Sequence, residues 1–396
     1  MSRLTVLSLE QALSLPYATH RMVELGWRVI RVEAPAGDPN RRIGLPLGGA
    51  DRCAYYVGPN VAKEAITLDL QDPRGRAALH KIIAALQPDV FCANTLPGRY
   101  GKLGIDEPTL RALAPRLVWA AISAMGPEHP DAPGYDPALQ AALGFMDLTG
   151  PADGPPMLCG LPLIDLKAGD ELLTQVMQAL WERAETGRGK RIDVSMARAA
   201  ASWLLTFVPM LDAGARPEEI TRSGSEHRQF VPSNAYPTSD GFVYLAIGSD
   251  RQWAQLTAIA VFSSLREPRF ERNEGRKDHR RELHERLGAC TRRRTTDENL
   301  ADLRRAGIVC APILPVARAI EEPHLAGILG ATQAPDGRRI RLPPTAVAIP
   351  EAPRELPFAP RQGEHTRAVL AEAGLAGDEI DALFFDGVAA GPTEDA

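Results

Sequence analysis

Short apolar runs alternate with helical patterns, and this alternation constrains the fold more than any other feature of the sequence. LTVLSL (4–9) precedes a helix-like segment that ends in glycine (16–26), and a second apolar run, WRVIRVEAP (27–35), follows. This order predicts a strand–helix–strand unit. Strands that are joined through helices pair in parallel, so the pattern predicts an α/β fold with a Rossmann-like parallel sheet.

The alternation continues toward the middle of the chain. Apolar runs at 65–70, 89–94 and 117–123 are separated by helical patterns at 72–87 and 106–115. A parallel sheet binds its ligand outside the carboxyl ends of its strands, so a nucleotide-like ligand is consistent with the predicted topology. Topology alone does not specify the chemistry.

The first strand-to-helix turn argues against a dinucleotide cofactor. A nicotinamide or flavin dinucleotide needs G-x-G-x-x-G there, because glycines let the backbone approach the pyrophosphate. The corresponding segment, ALSLPYA (12–18), contains no glycine, and the P-loop motif is also missing from the sequence. A nicotinamide-dependent dehydrogenase therefore becomes a disfavoured alternative.

The α/β pattern is interrupted in the second half of the chain by a linker-like polar stretch, an arginine-rich stretch and a proline-rich stretch. We therefore predict a large domain whose N-terminal part is residues 1–210, a linker at 211–224 and a smaller α+β domain at 225–320. Residues 321–396 are predicted to be a return linker and the C-terminal part of the large domain.

Charge and cysteine content limit the partners that can be expected. The net charge of −5 gives no global reason to expect nucleic acid or an acidic membrane as a partner. The sequence has no sustained signal-peptide core and no run of about 18 uncharged apolar residues. Its five cysteines are widely spaced and lack C-x-x-C pairing, which disfavours a zinc site and suits a reducing compartment. We expect a cytoplasmic protein without a metal, a membrane partner or a nucleic-acid partner.

Asp165, in the segment LPLIDLKAG (161–169), precedes a helical pattern at 170–190 and has two interpretations. Aspartate is among the best N-cap residues, and position alone favours that structural role. A helix N-terminus also stabilises an ionised carboxylate, and such a carboxylate in a ligand crevice can act as a nucleophile. Position alone does not distinguish the two roles.

A resemblance carried by eight segments in order favours the catalytic role of Asp165 over the structural one. These segments are PYATHRMVELGWRVIRVEAPAGDPNR (16–41), NVAKEAITLDLQDPRGR (60–76), NTLPGRYGKLG (94–104), PGYDPALQAALGFMDLTG (133–150), GLPLIDLKAG (160–169), ERAETGRGKRIDVSM (182–196), YPTSDGFVYLAIGSDRQW (236–253) and GEHTRAVLAEAGL (363–375). Together they resemble the family III CoA-transferases, which include formyl-CoA:oxalate and carnitine CoA-transferases and, as a branch, the α-methylacyl-CoA racemases.

The resemblance implies that Asp165 is the catalytic nucleophile, since it lies in the family's G-x-x-x-x-D-x-x-x-G setting between Gly160 and Gly169. It further implies that a coenzyme A thioester is the substrate, with no separate cofactor. The family forms interlocked homodimers whose large domain is built from both termini, so we expect the same assembly for this chain.

The resemblance also assigns residues to the binding of CoA or substrate, namely Ala12, Lys63, Asn94, Lys102, Leu103 and Asp136. Lys63 matches the lysine that approaches the CoA phosphates. Ala12, Asn94, Lys102 and Leu103 match the CoA groove, and Asp136 matches a second acid near the reacting carbonyl.

Three positions depart from the family pattern. Val61 and Leu96 stand where many members have arginines that contact phosphate, so the contacts with the CoA phosphates are expected to differ. Leu15 replaces a glycine of the first turn, and we expect its bulk to narrow or reshape the acyl pocket.

The function implied by resemblance is transfer of CoA from an acyl-CoA donor to a carboxylic acid through a covalent aspartyl intermediate, with a small dicarboxylate as a candidate substrate. One alternative is a 2-methylacyl-CoA racemase or epimerase, which needs a base and an acid on opposite faces of the substrate. That branch has histidine in G-H-D where this chain has Gly134-Tyr135-Asp136, so transfer is favoured. Another alternative, suggested by the missing arginines, is an inactive CoA-binding paralogue.

Overall fold

The computed structural model describes residues 3–348 and 354–392 of the chain. Its strands are β1 Thr5–Leu9, β2 Arg28–Glu33, β3 Glu64–Thr67, β4 Val90–Ala93, β5 Val118–Ser123, β6 Arg191–Ser195, β7 Ser233–Pro237, β8 Phe242–Ala246, β9 Val309–Pro312, β10 Gly330–Gln333, β11 Arg339–Leu342 and β12 Glu355–Leu356.

The α-helices are α1 Ser14–Glu24, α2 Ala54–Asn60, α3 Pro73–Leu86, α4 Tyr100–Leu103, α5 Glu107–Leu113, α6 Asp136–Ala142, α7 Phe145–Leu148, α8 Leu163–Thr186, α9 Met196–Ala201, α10 Phe207–Asp212, α11 Asp250–Ala258, α12 Asn273–Asp278, α13 Arg280–Thr291, α14 Thr296–Arg305, α15 Val316–Ala319, α16 Pro323–Ala326, α17 Thr366–Glu372 and α18 Gly377–Phe385. None of the helices in the described parts of the chain has the length and apolar character that a bilayer span requires.

The chain divides into two compact units. Unit 1 comprises Met1–Leu143, Cys159–Gly214 and Ile328–Ala396, and unit 2 comprises Gly144–Leu158 and Ala215–Gly327. The short segment 144–158, which the sequence pattern placed in the large domain, thus clusters with unit 2.

Unit 1 is built on a six-stranded sheet in the order β3-β2-β1-β4-β5-β6, with parallel pairing throughout. The predicted Rossmann-like parallel sheet is therefore confirmed. Strand β1 pairs with β2 on one side and β4 on the other, so the strand order reverses beside β1. At such a switch point the loops diverge and leave a crevice at the carboxyl ends of the strands.

The C-terminal segment completes the core of unit 1. Leu370 and Leu383, on α17 and α18, are buried in the same cluster as Ile66, Leu79 and other residues from the first part of the chain. The backbone N–H of His365 donates to the carbonyl of Ala65 at 2.9 Å, which covers the outer edge of β3. This cover protects an edge strand that would otherwise be open to pairing with another chain.

Unit 2 contains the antiparallel sheet β7-β8-β9 and its own apolar core. Trp253, Phe262, Phe270 and Leu287 are buried together in that core, contributed by α11, two 3-10 segments and α13. The unit thus buries apolar surface independently of the parallel sheet.

Candidate active site

Two cavities adjoin at the carboxyl ends of the strands of unit 1. The first, here called the β1–β2 cavity, has a volume of about 180 Å³ and is lined by residues that follow β1, β2 and β3, among them Asp38 and Asp69. The second, the Asp165 cavity, has a volume of about 230 Å³ and lies between the turns after β1, β4 and β5 and the start of α8. Both cavities share Gln11, Asn94 and Thr95 as lining residues, so they form neighbouring parts of one crevice.

Asp165 is not the cap of its helix. Helix α8 begins at Leu163, and Pro162 occupies the N-cap position without a side-chain hydrogen bond, so Asp165 is the third helical residue. The interpretation of Asp165 as an N-cap is therefore wrong. The earlier start of the helix places the Asp165 side chain in its first turn and at the wall of the cavity.

Asp136 caps the helix instead, although it lies on a different element. Its Oδ2 accepts hydrogen bonds from the backbone N–H groups of Ile164 at 2.7 Å and Asp165 at 3.2 Å. Its Oδ1 accepts from the side-chain amide of Gln140 at 2.6 Å. Asp136 is buried and does not line the Asp165 cavity. The second acid expected near the reacting carbonyl thus acts on the helix start and, through its charge, on Asp165.

The pKa of Asp165 is raised to about 7. Burial of the carboxyl is the main cause and the nearby Asp136 carboxylate adds to it, whereas a hydrogen bond with Ser14 acts in the opposite direction. The positive end of a helix favours the ionised form, but here burial and repulsion outweigh it. Near neutral pH, Asp165 is divided between its two protonation states, and its ionised form is poorly solvated, which favours nucleophilic attack.

Gly169 explains how closely α8 approaches α1. A Cβ at this position would lie 2.8 Å from the backbone oxygen of Ser14 and 2.7 Å from a ring carbon of Tyr17. Only glycine fits without displacing α1, so Gly169 keeps Ser14 close to Asp165. Gly160, the other glycine of the motif, has no atom within 4 Å of such a Cβ.

Asn94 and Ala12 shape the turn after β1. The Asn94 Oδ1 accepts from the backbone N–H of Gln11 at 3.0 Å, and its Nδ2 donates to the Gln11 carbonyl at 2.7 Å. The next residue, Ala12, has a φ of 58°, in the left-handed region that residues other than glycine seldom adopt. Asn94 therefore holds a strained turn, and both Asn94 and Ala12 line the Asp165 cavity.

Lys63 does not reach the crevice. Its side chain is fully buried, and its ammonium donates to Glu10 Oε1 at 2.7 Å, Thr19 Oγ1 at 2.7 Å and Asn60 Oδ1 at 3.0 Å. The carbonyl of Pro16 is a fourth acceptor at 3.0 Å, so buried protein groups use all three protons of the ammonium. The expected contact with CoA phosphates does not fit this placement, because the lysine instead neutralises a buried glutamate at the end of β1.

Lys102 and Leu103 lie together on α4 but face different surroundings. Leu103 lines the β1–β2 cavity, as expected for a groove residue. Lys102 is exposed and lines neither cavity. Leu15 is buried within α1 and lines neither cavity. The expected narrowing of the acyl pocket by its side chain therefore does not fit this placement.

Sequence reasoning missed Arg99. This exposed residue lines the Asp165 cavity, and among the described residues that do so it is the only lysine, arginine or histidine. Its signal was present in NTLPGR, three positions after the Leu96 that was noted for not being arginine.

Comparisons with known proteins agree with this fold. The family model for CoA-transferase family III matches residues 1–366. The succinyl-CoA:glutarate CoA-transferase of Mus musculus is 30% identical over 97% of this chain and 88% of its own length. The acetyl-CoA:oxalate CoA-transferase of Acetobacter aceti is 30% identical over 93% of this chain and 94% of its own length. A crystal structure of a CAIB/BAIF family protein from Brucella suis superposes with a TM-score of 0.83 at 29% identity, covering 93% of this chain and 98% of that one.

Proposed function

This chain belongs to CoA-transferase family III and transfers coenzyme A from an acyl-CoA donor to a carboxylic acid, and we propose that Asp165 carries the acyl group during the reaction. One observation carries the proposal. Asp165 is the only acidic residue among the described residues that line its cavity, and its pKa lies near neutrality.

The proposed reaction conserves an activated acyl group at every step. The Asp165 carboxylate attacks the thioester carbonyl and the C–S bond breaks. CoA leaves as a thiolate, and the acyl group forms a mixed anhydride with Asp165. The thiolate attacks the aspartyl carbonyl, which releases the donor acid and leaves CoA on Asp165 as a thioester. The acceptor carboxylate attacks this aspartyl thioester and displaces CoA as a thiolate, which forms a second anhydride between Asp165 and the acceptor. The thiolate then attacks the acceptor carbonyl, which gives the new acyl-CoA and releases the Asp165 carboxylate. No water, metal or redox cofactor takes part.

The wall of the crevice must exclude water, because hydrolysis of the anhydride would waste the donor. The backbone N–H groups at 166–169 do not serve as oxyanion donors, because they lie inside α8, where Leu166 donates to the carbonyl of Pro162 at 3.1 Å. We therefore look for donors at the polar wall of the cavity, such as Ser14, Ser123 and Thr95.

A small dicarboxylic acid is the substrate class that we propose. The names of the two curated relatives include glutarate and oxalate, which are both short diacids. The modest volume of the Asp165 cavity is consistent with a short acyl chain.

Racemisation is the weaker alternative. Proton abstraction at the α-carbon needs a base beside the substrate, and no histidine occurs among the described residues that line the Asp165 cavity. Tyr135 stands there instead. Incorporation of deuterium from D₂O into the α-position without any acceptor acid would support the racemase.

We also propose that the protein is a homodimer in the cytoplasm. Large apolar side chains of unit 1 remain exposed on α8 and in the region of α9 and α10, namely Met177, Trp181, Trp203, Leu205, Val208 and Leu211. Exposed apolar surface of this kind is typical of a protein interface. Sedimentation of the wild type and of a Trp181→Glu, Leu205→Glu variant tests the proposal, because the variant should sediment as a monomer. The interlocked arrangement remains the expectation from the resemblance.

Mass spectrometry tests the covalent step. The protein is incubated with succinyl-CoA, quenched and digested, and the peptide that contains Asp165 should carry an acyl or CoA adduct. Asp165→Asn should show neither the adduct nor transfer, whereas Asp170→Asn, five residues further along α8, should retain both. Full transfer activity in Asp165→Asn would exclude the proposed mechanism, and absence of transfer in the wild type with every acyl-CoA tried would favour an inactive CoA-binding protein.

A further inference from the structure

Opposite charges meet at the Asp165 cavity. Asp165 is the only acidic residue and Arg99 the only basic residue among the described residues that line it. They come from different elements, since Arg99 ends the 3-10 segment Pro97–Arg99 after β4, whereas Asp165 lies in the first turn of α8. The remaining lining side chains are apolar or neutral polar groups.

Arg99 has no structural partner that would account for it. No hydrogen bond or ion pair of its guanidinium occurs within residues 3–348 and 354–392, and the side chain is exposed. Arginines elsewhere in unit 1 can be firmly paired, as Arg31 is with Glu33 at 2.8 Å and Arg41 with the same glutamate at 2.6 Å. An uncommitted guanidinium at the wall of a cavity is available for an anionic ligand.

We propose that Arg99 binds the second carboxylate of a dicarboxylic substrate while the first carboxylate reacts at Asp165. This inference rests on the proposed transfer reaction and adds the residue that selects a diacid. A diacid brings a permanent negative charge into a cavity where Asp165 and the nearby Asp136 already repel anions, so it needs a fixed cation. A monoacid has no charge remaining once its carboxylate has been acylated.

The competing partner for Arg99 is a phosphate of CoA. Lys102 is the better candidate for that contact, because it is exposed and is the chain neighbour of Leu103, which lines the β1–β2 cavity. The segment 97–103 would then supply two cations with different roles, Arg99 for the acid and Lys102 for the nucleotide.

Acceptor competition provides the test. Because the proposed reaction passes through a CoA-loaded enzyme, the ratio of kcat/KM for two acceptors does not depend on the donor half-reaction. With succinyl-CoA as donor, glutarate is compared with pentanoate, which has the same chain length but lacks the second carboxylate. In Arg99→Gln, the preference for glutarate should fall by about tenfold or more, the typical effect of losing a charged hydrogen bond. Arg99→Lys should retain part of the preference, because it keeps the charge without the planar fork.

Two controls separate this inference from its alternatives. Arg188→Gln, which removes an exposed arginine just beyond α8, should leave the preference unchanged. The dissociation constant of free CoA, measured by calorimetry, should be the same in Arg99→Gln and wild type. An unchanged glutarate preference, or a weakening of CoA binding that accounts for the loss, overturns the role of Arg99 while transfer by the wild type still stands. A wild type without transfer would instead overturn the proposed function itself.

Discussion

The carboxylate of Asp136 accepts a hydrogen bond from the backbone N–H of Asp165 at 3.2 Å and at the same time repels the Asp165 carboxylate. One buried group thus caps the start of α8 and adds to burial, the larger cause, in raising the pKa of Asp165. Structural capping and chemical tuning are coupled at this position, so a change in Asp136 affects both.

The activity should depend on pH through Asp165. Attack requires the carboxylate, so kcat/KM for the acyl-CoA should rise as the pH increases through about 7. In Asp136→Asn the repulsion is removed, the pKa of Asp165 falls and the rise should move to lower pH. Asp170→Asn, on the same helix, should leave the midpoint in place. An unchanged midpoint in Asp136→Asn would show that Asp136 does not tune Asp165.

Replacing the nucleophile should stabilise the fold at alkaline pH. The pKa of Asp165 is about 7 in the folded protein and about 4 in the unfolded chain. Between these two pH values the unfolded chain has already released the Asp165 proton while the folded protein still holds it, so the wild type loses stability as the pH rises through this range. Asp165→Asn avoids this loss. At pH 8 it should be more stable by up to about 4 kcal/mol in urea unfolding, with the difference much reduced at pH 4. Equal pH dependence in both proteins would mean that the carboxyl is well solvated.

Gly169→Ala should be destabilising although alanine is a better helix former. The added methyl group would contact the Ser14 backbone oxygen at 2.8 Å, and relief requires a shift of α1 that we expect to cost about 1–3 kcal/mol. Gly160→Ala is the matched control, since nothing lies near its Cβ position. Thermal unfolding compares the two variants, and transfer activity should fall in Gly169→Ala because Ser14 moves with α1.

We expect Lys63 to affect the stability of the fold and Lys102 to affect the binding of CoA. Lys63→Met leaves the buried Glu10 with only the more distant Arg31, at 3.9 Å, as a counter-charge; breaking a buried ion pair typically costs about 3–5 kcal/mol, and adding Glu10→Gln should recover part of this loss. Lys102→Met should unfold like the wild type but raise the dissociation constant of CoA. If Lys63→Met retained its stability and lost only CoA affinity, the lysine would contact CoA as the resemblance implied.

The sequence predicted the features that depend on local patterns. Strand and helix periodicity predicted the parallel sheet, and the segment around Asp165 drew attention to a residue that lines a cavity. The pairings across long separations were not visible. Glu10 is 53 positions from Lys63, and Asp136 caps a helix that begins 27 positions later. A lysine is rarely fully buried, so the burial of Lys63 follows only from the fold.

The packing of the C-terminal helices against β3 has a consequence for the order of events during synthesis. Strand β3 leaves the ribosome long before α17 and α18, which cover its edge and complete its core. Unit 2 is synthesised between β3 and these helices. Until α17 and α18 are synthesised, the sheet has an open edge and exposed apolar side chains. We therefore expect the incomplete chain to be prone to aggregation, and loss of its final helices should cause aggregation rather than yield a smaller working enzyme.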